Sequence, residues 1–219
     1  MNIYVIVEGE KAAKKIYQKW ITLVNPNLRS VDYLTEFTQN NFLVYHGLGQ
    51  PIWGRVSAAI EDVNNTKSID RLVIALDSEN KSYNEKLEEA KEQVEKLGCR
   101  VEVKYIVQHF CLETWLLGNR DIFRKKPNNN LLREYYVKFD IRAEDPENLP
   151  NHPKKAMNRA TFAYNYLRLG ISDVYGEEKW YNKKNPGIVL EEQYFKKIKQ
   201  RYENINHIKS FQGFIHAFQ

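Results

Sequence analysis

The chain has 219 residues, 42% of them hydrophobic and 13% aromatic, a composition typical of a globular protein and not of a disordered one. Its mean hydropathy is −0.62, and no apolar run approaches the roughly 20 residues that span a bilayer, so we do not expect a membrane protein. Cys99 and Cys111 are the only cysteines, which excludes a disulfide framework and a Cys-rich zinc site and favours a cytoplasmic location.

The net charge of +5 is distributed unevenly along the chain. Residues 1–119 carry 14 Lys and Arg against 16 Asp and Glu, a net charge of −2. Residues 120–219 carry 19 against 12, a net charge of +7. Two interpretations stay open: a basic surface that binds a polyanion such as nucleic acid, or a solvated lysine-rich surface.

The first half of the chain alternates between apolar runs and segments with helical spacing. Strands are predicted for the apolar runs at residues 3–7, 42–45, 71–76 and 101–107. Helices are predicted between them at residues 13–24, 51–63 and 82–97, the last opened by a capping box of Ser82 and Glu85. This alternation predicts an α/β fold with a mostly parallel, Rossmann-like sheet of about four strands.

The second half is predicted to be mostly helical. Helices are expected at residues 111–117, 154–169, 190–202 and 205–218, the second of them ended by Gly170. Polar connections are expected at residues 125–130 and 145–153. Because no linker divides the chain, we predict one domain over residues 1–219, with an α/β core at 1–119 and a basic helical extension at 120–219.

Four acidic residues follow the predicted strands, at the sheet edge where α/β proteins collect function. Glu8 follows the first strand, Asp77 and Glu79 follow the third, and Glu113 lies just beyond the fourth, among apolar neighbours. Such carboxylates, with few candidate His ligands, suit Mg²⁺ or Mn²⁺, which prefer oxygen ligands. The alternatives are structural: Glu8 and Asp77 as charges at helix entries, and Glu113 as a buried ion-pair partner.

These residues also resemble a known family. Residues 7–9 (Val-Glu-Gly) after a first strand are similar to the opening of a Toprim domain. The Asp-x-acid element at 77–79 (Asp-Ser-Glu) and the Gly-closed strand at 45–47 (Tyr-His-Gly) resemble later parts of that fold. Toprim domains occur in topoisomerases, primases, the RNase that matures 5S rRNA and the overcoming-lysogenization-defect nucleases.

The resemblance is greatest to small stand-alone Toprim-like proteins that are encoded beside AAA or ABC-type ATPases in bacterial anti-phage systems. Their Cys-x-Glu-x-Trp-Leu-Leu segment is matched at 111–117 (Cys-Leu-Glu-Thr-Trp-Leu-Leu). Their Asp-Pro-Glu, Pro-Lys and C-terminal Ser-Phe elements resemble residues 145–147, 153–154 and 210–211. The similar segments follow one another in the same order over nearly the whole chain.

The resemblance implies a divalent-metal-dependent nuclease that hydrolyses phosphodiester bonds in DNA or RNA, working with an ATPase as a defence effector. Mg²⁺ or Mn²⁺ would be held by Glu8, Asp77 and Glu79, with Glu113 as a further ligand or general base. Lys154 is the candidate that neutralises phosphate charge, by motif position; Lys155 and Lys11 are weaker candidates, and a solvated surface lysine is the alternative.

Two positions depart from the family pattern. Ala12 stands where a second acid is usual, and Glu79 replaces the usual Asp. The missing acid favours an alternative function, a non-catalytic Toprim-fold module that binds nucleic acid or a partner protein, including a phage-encoded protein that counters host defences. Two further candidates are His109, as a catalytic or a structural histidine, and residues 180–184, as a platform on which bases stack.

Overall fold

The computed structural model describes residues 1–47, 51–152, 157–176 and 179–219. Within these ranges the strands are β1 (Ile3–Val7), β2 (Arg29–Ser30), β3 (Asn41–His46), β4 (Arg71–Asp77) and β5 (Glu102–Gln108). The α-helices are α1 (Lys11–Val24), α2 (Ile52–Asn65), α3 (Tyr83–Leu97), α4 (Leu112–Leu116), α5 (Asn130–Lys138), α6 (Arg159–Tyr175), α7 (Glu192–Ile205) and α8 (Phe211–Phe218). The predicted α/β class with a helical C-terminal part is confirmed.

The strands of the described segments form one parallel sheet in the order β2-β3-β1-β4-β5. In the central strand β1, Val7 pairs with His46 of β3 on one side and with Ala75 of β4 on the other. At the far end of the sheet, Asp77 of β4 pairs with Gln108 of β5. Parallel strands end at the same edge, so the residues that follow them emerge side by side there.

Helices cover both faces of the sheet. Alternate residues of β1 pack into two apolar cores, because successive side chains of a strand point to opposite faces. Helices α2 and α3 cover one face, where Val56 and Ala90 are buried. Helix α1 lies on the other face, where Trp20 shares its core with Trp115 and Phe214 of the C-terminal half. The described C-terminal helices therefore pack on the same core as the sheet.

The predicted end of the second C-terminal helix at Gly170 is wrong, because α6 runs through this glycine to Tyr175. The helix begins after Asn158, whose side chain accepts a hydrogen bond from the backbone N of Thr161 at 2.8 Å. Residues 154–156 of the predicted helix lie outside the described residues. A Cβ on Gly170 would lie 2.3 Å from Cε1 of Phe123, so this glycine permits close packing and does not end the helix.

The other boundaries that differ also have local causes. Helix α7 continues to Ile205 and ends at Asn206, which adopts the left-handed conformation that asparagine tolerates well. The last helix therefore begins at Phe211 and not at residue 205. Helix α5 was not predicted; it begins after Asn129, whose side chain accepts from the backbone N of Leu132. A fifth strand, β2, is only two residues long.

Candidate active site

The ends of β1 and β4 bring two of the predicted acids together. The backbone N of Glu8 donates to the carbonyl of Ala75 at 2.9 Å, which extends the pairing of the two strands by one residue. The Glu8 carboxylate in turn accepts a hydrogen bond from the backbone N of Asp77 at 2.9 Å. After β1 the chain turns to α1 on one face, and after β4 it turns to α3 on the other. The two acids therefore lie at the point where the connections diverge, the usual ligand position in open α/β sheets.

The turn that follows Glu8 depends on Gly9. Its φ is +122°, a conformation that L side chains rarely adopt, and a Cβ there would lie 3.0 Å from the Cβ of Ala13. Ala12, at the position of the second acid of the Toprim pattern, is 1% exposed and belongs to the apolar core. Glu10, the acid that lies two residues before it, is exposed.

The surroundings of the Asp77 carboxylate disfavour its negative charge. Its Oδ1 is buried and accepts no hydrogen bond from the residues that the structure describes. Burial raises the pKa of Asp77 well above its usual range, and the charges of Glu8 and Glu113 raise it further. Burial also raises the pKa of Glu8, against the hydrogen bond that it accepts from Asp77. Both acids therefore lie where a cation would stabilise their ionised forms.

Glu113 completes the buried acidic cluster from the first turn of α4. Its side chain is 0% exposed. Its Oε1 accepts a hydrogen bond from the hydroxyl of Tyr181 at 2.7 Å and pairs with Nζ of Lys183 at 2.5 Å. Burial raises the pKa of Glu113, but Lys183 more than offsets it and leaves the pKa below its ordinary value. Its Oε2 is buried without a partner. The ion-pair interpretation of Glu113 thus describes one of its two oxygens.

Lys183 was predicted as part of the stacking platform at residues 180–184 and not as a cation beside the acids. It lies in a turn closed by hydrogen bonds between Asn182 and Asn185, and its carbonyl accepts from the backbone N of Ala12 at 3.0 Å. This bond ties the turn to the start of α1, beside Glu8. Burial would lower the pKa of Lys183, but the charge of Glu113 raises it above its ordinary value, so the ammonium is charged at neutral pH.

The other predicted cationic and aromatic candidates lie elsewhere. Lys154 and Lys155 fall outside the described residues, and Lys11 is exposed at the start of α1. The prediction of a stacking platform at residues 180–184 is wrong for Tyr181, which is 1% exposed and holds Glu113.

Glu79 stands apart from the buried acids. Its side chain is exposed, and its backbone has a left-handed φ of +54°, with the backbone N donating to the carbonyl of Phe110 at 3.0 Å. Phe110 also has a left-handed φ of +65°, which is costly for a bulky residue and often marks a functional segment. The charge of Glu79 nevertheless raises the pKa of both Glu8 and Asp77, so it lies near them.

The acids fit a hard cation in chemistry, although they do not form an assembled metal site. In the part of the chain that the structure describes, no three His, Cys, Asp or Glu side chains are arranged to hold a metal ion. However, Oδ1 of Asp77 and Oε2 of Glu113 are buried acceptors without donors. A buried polar atom without a partner is costly, and a divalent ion with oxygen preference would be a suitable partner for either of them.

Three segments of the family pattern that are distant in sequence meet behind this cluster. Nε1 of Trp115 donates to Oγ of Ser210 at 2.7 Å. The Ser210 hydroxyl donates a short hydrogen bond to the carboxylate of Glu147, which also accepts from the backbone N of Ser210 at 3.0 Å. Asp145 accepts from the backbone N of Ile208 at 3.0 Å. These bonds fix α8 and the 145–148 turn against α4, and so support the position of Glu113.

Comparison with protein-family models, curated proteins and solved structures finds no match for this chain. Among the helices that the structure describes, none is long and apolar enough to cross a membrane.

Proposed function

We propose that the protein is a Toprim-like, divalent-metal-dependent nuclease. The observation that carries the proposal is the juxtaposition of Glu8, Asp77 and Glu113 at the carboxyl edge of the sheet, with one buried oxygen of Asp77 and one of Glu113 left without donors. Structural carboxylates are normally satisfied by protein donors. Unpaired buried acceptors at the point where the connections of a sheet diverge are typical of a ligand-binding site.

The roles of the residues follow from their surroundings. Glu8, Asp77 and Glu113 would hold Mg²⁺ or Mn²⁺, and Glu79 would join them from the adjoining exposed turn. When bound, the ion polarises a phosphate and lowers the pKa of an attacking water. Lys183, already charged beside the acids, would neutralise the charge that develops on the phosphoryl oxygens. Gly9 lets the substrate backbone approach β1 closely.

The biological setting rests on the resemblance and on charge. The family resemblance favours an effector of anti-phage defence that acts in the cytoplasm with an AAA or ABC-type ATPase. The net charge of +7 on residues 120–219 suits a nucleic-acid partner.

A second function is favoured by one specific observation. Ala12 is buried in the apolar core, so the position of the second family acid contributes nothing to the crevice. Lys183 also neutralises Glu113 without any metal. A non-catalytic module, of host or phage origin, that binds nucleic acid or a partner protein through the same edge would retain this arrangement.

Cleavage of mixed DNA and RNA substrates in Mg²⁺, with any partner ATPase present, separates the two functions. We expect the wild type to cleave and Asp77→Asn, which keeps the side-chain volume, to lose about 100-fold or more of the rate. Asp32→Asn is the matched control, because Asp32 is exposed and follows the edge strand β2, which β3 separates from β1. Cleavage by Asp77→Asn at the wild-type rate would contradict the assignment, and a wild type that never cleaves would favour the non-catalytic module.

A further inference from the structure

A groove runs beside the candidate active site, on the β5 side of Glu79. It consists of two cavities of about 420 and 390 Å³ that share His109 and Glu147. We call it the His109 groove and define it by Tyr83, His109, Phe110, Glu147, Arg159 and Lys209. The smaller cavity is lined by Phe110 and Arg159, and the carbonyl of Phe110 accepts from the backbone N of Glu79.

The partly exposed ring of His109 is held in place at the junction of the two cavities. It packs against the buried ring of Phe110 in a tilted arrangement, with centroids 4.0 Å apart and 34° between the ring planes. The Ser78 hydroxyl accepts a hydrogen bond from the backbone N of Phe110 and also lies within hydrogen-bond distance of Nδ1 of His109, at 3.2 Å. Burial and the charge of Arg159 lower the pKa of His109, which favours the neutral form of the ring.

The groove also contains cations that the protein does not neutralise. The Arg159 guanidinium lies 3.7 Å from the centroid of the Phe110 ring, and its Nε is buried without a partner. Within the described residues, neither Arg159 nor Lys209 has a carboxylate within ion-pair distance. A half-buried guanidinium without an anion favours binding of one, and phosphate suits its planar set of donors.

We propose that the His109 groove binds a single-stranded segment of nucleic acid next to the scissile phosphate. This inference rests on the proposed function and specifies its substrate class. Each cavity has room for about one nucleotide, the partly exposed ring of His109 can pack against an unstacked base, and Arg159 and Lys209 can bind adjacent phosphates. Glu147, fixed by Ser210, offers an acceptor to a base amino group or a sugar hydroxyl. A duplex hides its base faces, so it uses these groups poorly.

The test measures binding without cleavage. Fluorescence anisotropy in EDTA would follow labelled 12-nucleotide single strands of DNA and of RNA, and blunt duplexes of the same sequences, over a salt titration. The variant Arg159→Gln/Lys209→Gln removes the two unpaired charges. The variant Lys67→Gln/Lys96→Gln removes two charges at the opposite edge of the sheet and serves as the matched control. Comparison of the DNA strands with the RNA strands shows which of the two nucleic acids the groove binds more tightly.

The wild type should bind single strands at least fivefold more tightly than duplexes. The groove variant should bind single strands about tenfold more weakly, with the slope of log K against log salt reduced by about 1.4, since each lost phosphate contact removes about 0.7. The control variant should retain the wild-type slope. Equal binding by groove variant and wild type, a duplex bound as tightly as a single strand, or no binding of single strands by the wild type would each overturn the proposal. The binding assay contains EDTA, so its outcome does not depend on cleavage. If the wild type binds single strands through the groove but never cleaves, the groove proposal holds and the nuclease proposal fails. If the groove variant cleaves with unchanged affinity, only the groove proposal is contradicted.

Discussion

Asp77 lies where the charges of three other carboxylates overlap. Glu8, Glu113 and Glu79 all raise its pKa, and burial raises it more than any of them. Among the described residues, Lys183 lowers this pKa, although the Lys183 ammonium pairs with Glu113. The negative charge around Asp77 is therefore only partly neutralised by the protein, and a cation bound there would reduce the repulsion among the acids.

The ion pair between Glu113 and Lys183 should be measurable in the stability of the protein. Lys183→Met leaves a buried carboxylate uncompensated, which we expect to lower the free energy of unfolding at pH 7 by about 1–3 kcal/mol. This is less than for a fully buried pair, because the Lys183 side chain is 44% exposed and partly screened. Urea unfolding in EDTA would measure the loss.

The pH dependence of this loss has a defined sign. The pKa of Glu113 is lowered in the folded state, so the pair stabilises the fold above the unfolded pKa, near 4.3, and its contribution is lost as the pH falls below that value. The difference between wild type and Lys183→Met should shrink accordingly. Lys184→Met, at the exposed neighbouring position, is the control, and equal stability of the two variants at pH 7 would contradict the role of Lys183.

At the scale of elements, the strands were predictable and the C-terminal helix ends were not. Strands β1 and β4 are continuous apolar runs, buried on both faces, and such runs are visible in the sequence. The capping box of α3 is also local, and the structure contains it with Gly98 as the left-handed residue at its end. Glycine often follows the last residue of a helix, so the sequence predicts a helix end at Gly170. Its actual role is to allow close packing against Phe123, which is far away in sequence.

Two glycines in helices should therefore respond in opposite ways to the same substitution. Gly170→Ala places a methyl group 2.3 Å from Phe123 and 3.1 Å from the carbonyl of Ile122, so overpacking should destabilise the fold by about 1–3 kcal/mol despite the better helix propensity of Ala. In α2, no atom lies within 4 Å of a Cβ added to Gly54, so Gly54→Ala should stabilise by about 0.5–1 kcal/mol. Thermal unfolding measures both, and stabilisation by Gly170→Ala would contradict the packing of α6.

At the scale of the whole molecule, the sheet explains which part of the candidate site the sequence could predict. Glu8 and Asp77 follow strands that must end at one edge, so their meeting follows from a parallel sheet alone. Lys183 comes from a polar turn without periodicity, 70 positions beyond Glu113 along the chain, and only the packed C-terminal half brings it there. The same packing places Tyr181 in the core and forms the His109 groove. Neither feature could be predicted from the local sequence pattern.

Binding of Mn²⁺ to the metal-free protein, followed by electron paramagnetic resonance, tests the central claim most directly. We expect the protein to bind the ion at millimolar or lower concentration. Asp77→Asn should weaken the affinity for Mn²⁺ at least tenfold, and Glu92→Gln, on the exposed face of α3, should leave it unchanged. An ion at 100 times its dissociation constant should also stabilise the wild type by about 2.7 kcal/mol. A wild type that binds no Mn²⁺ in this range, or an Asp77→Asn variant that binds it equally well, would contradict the account.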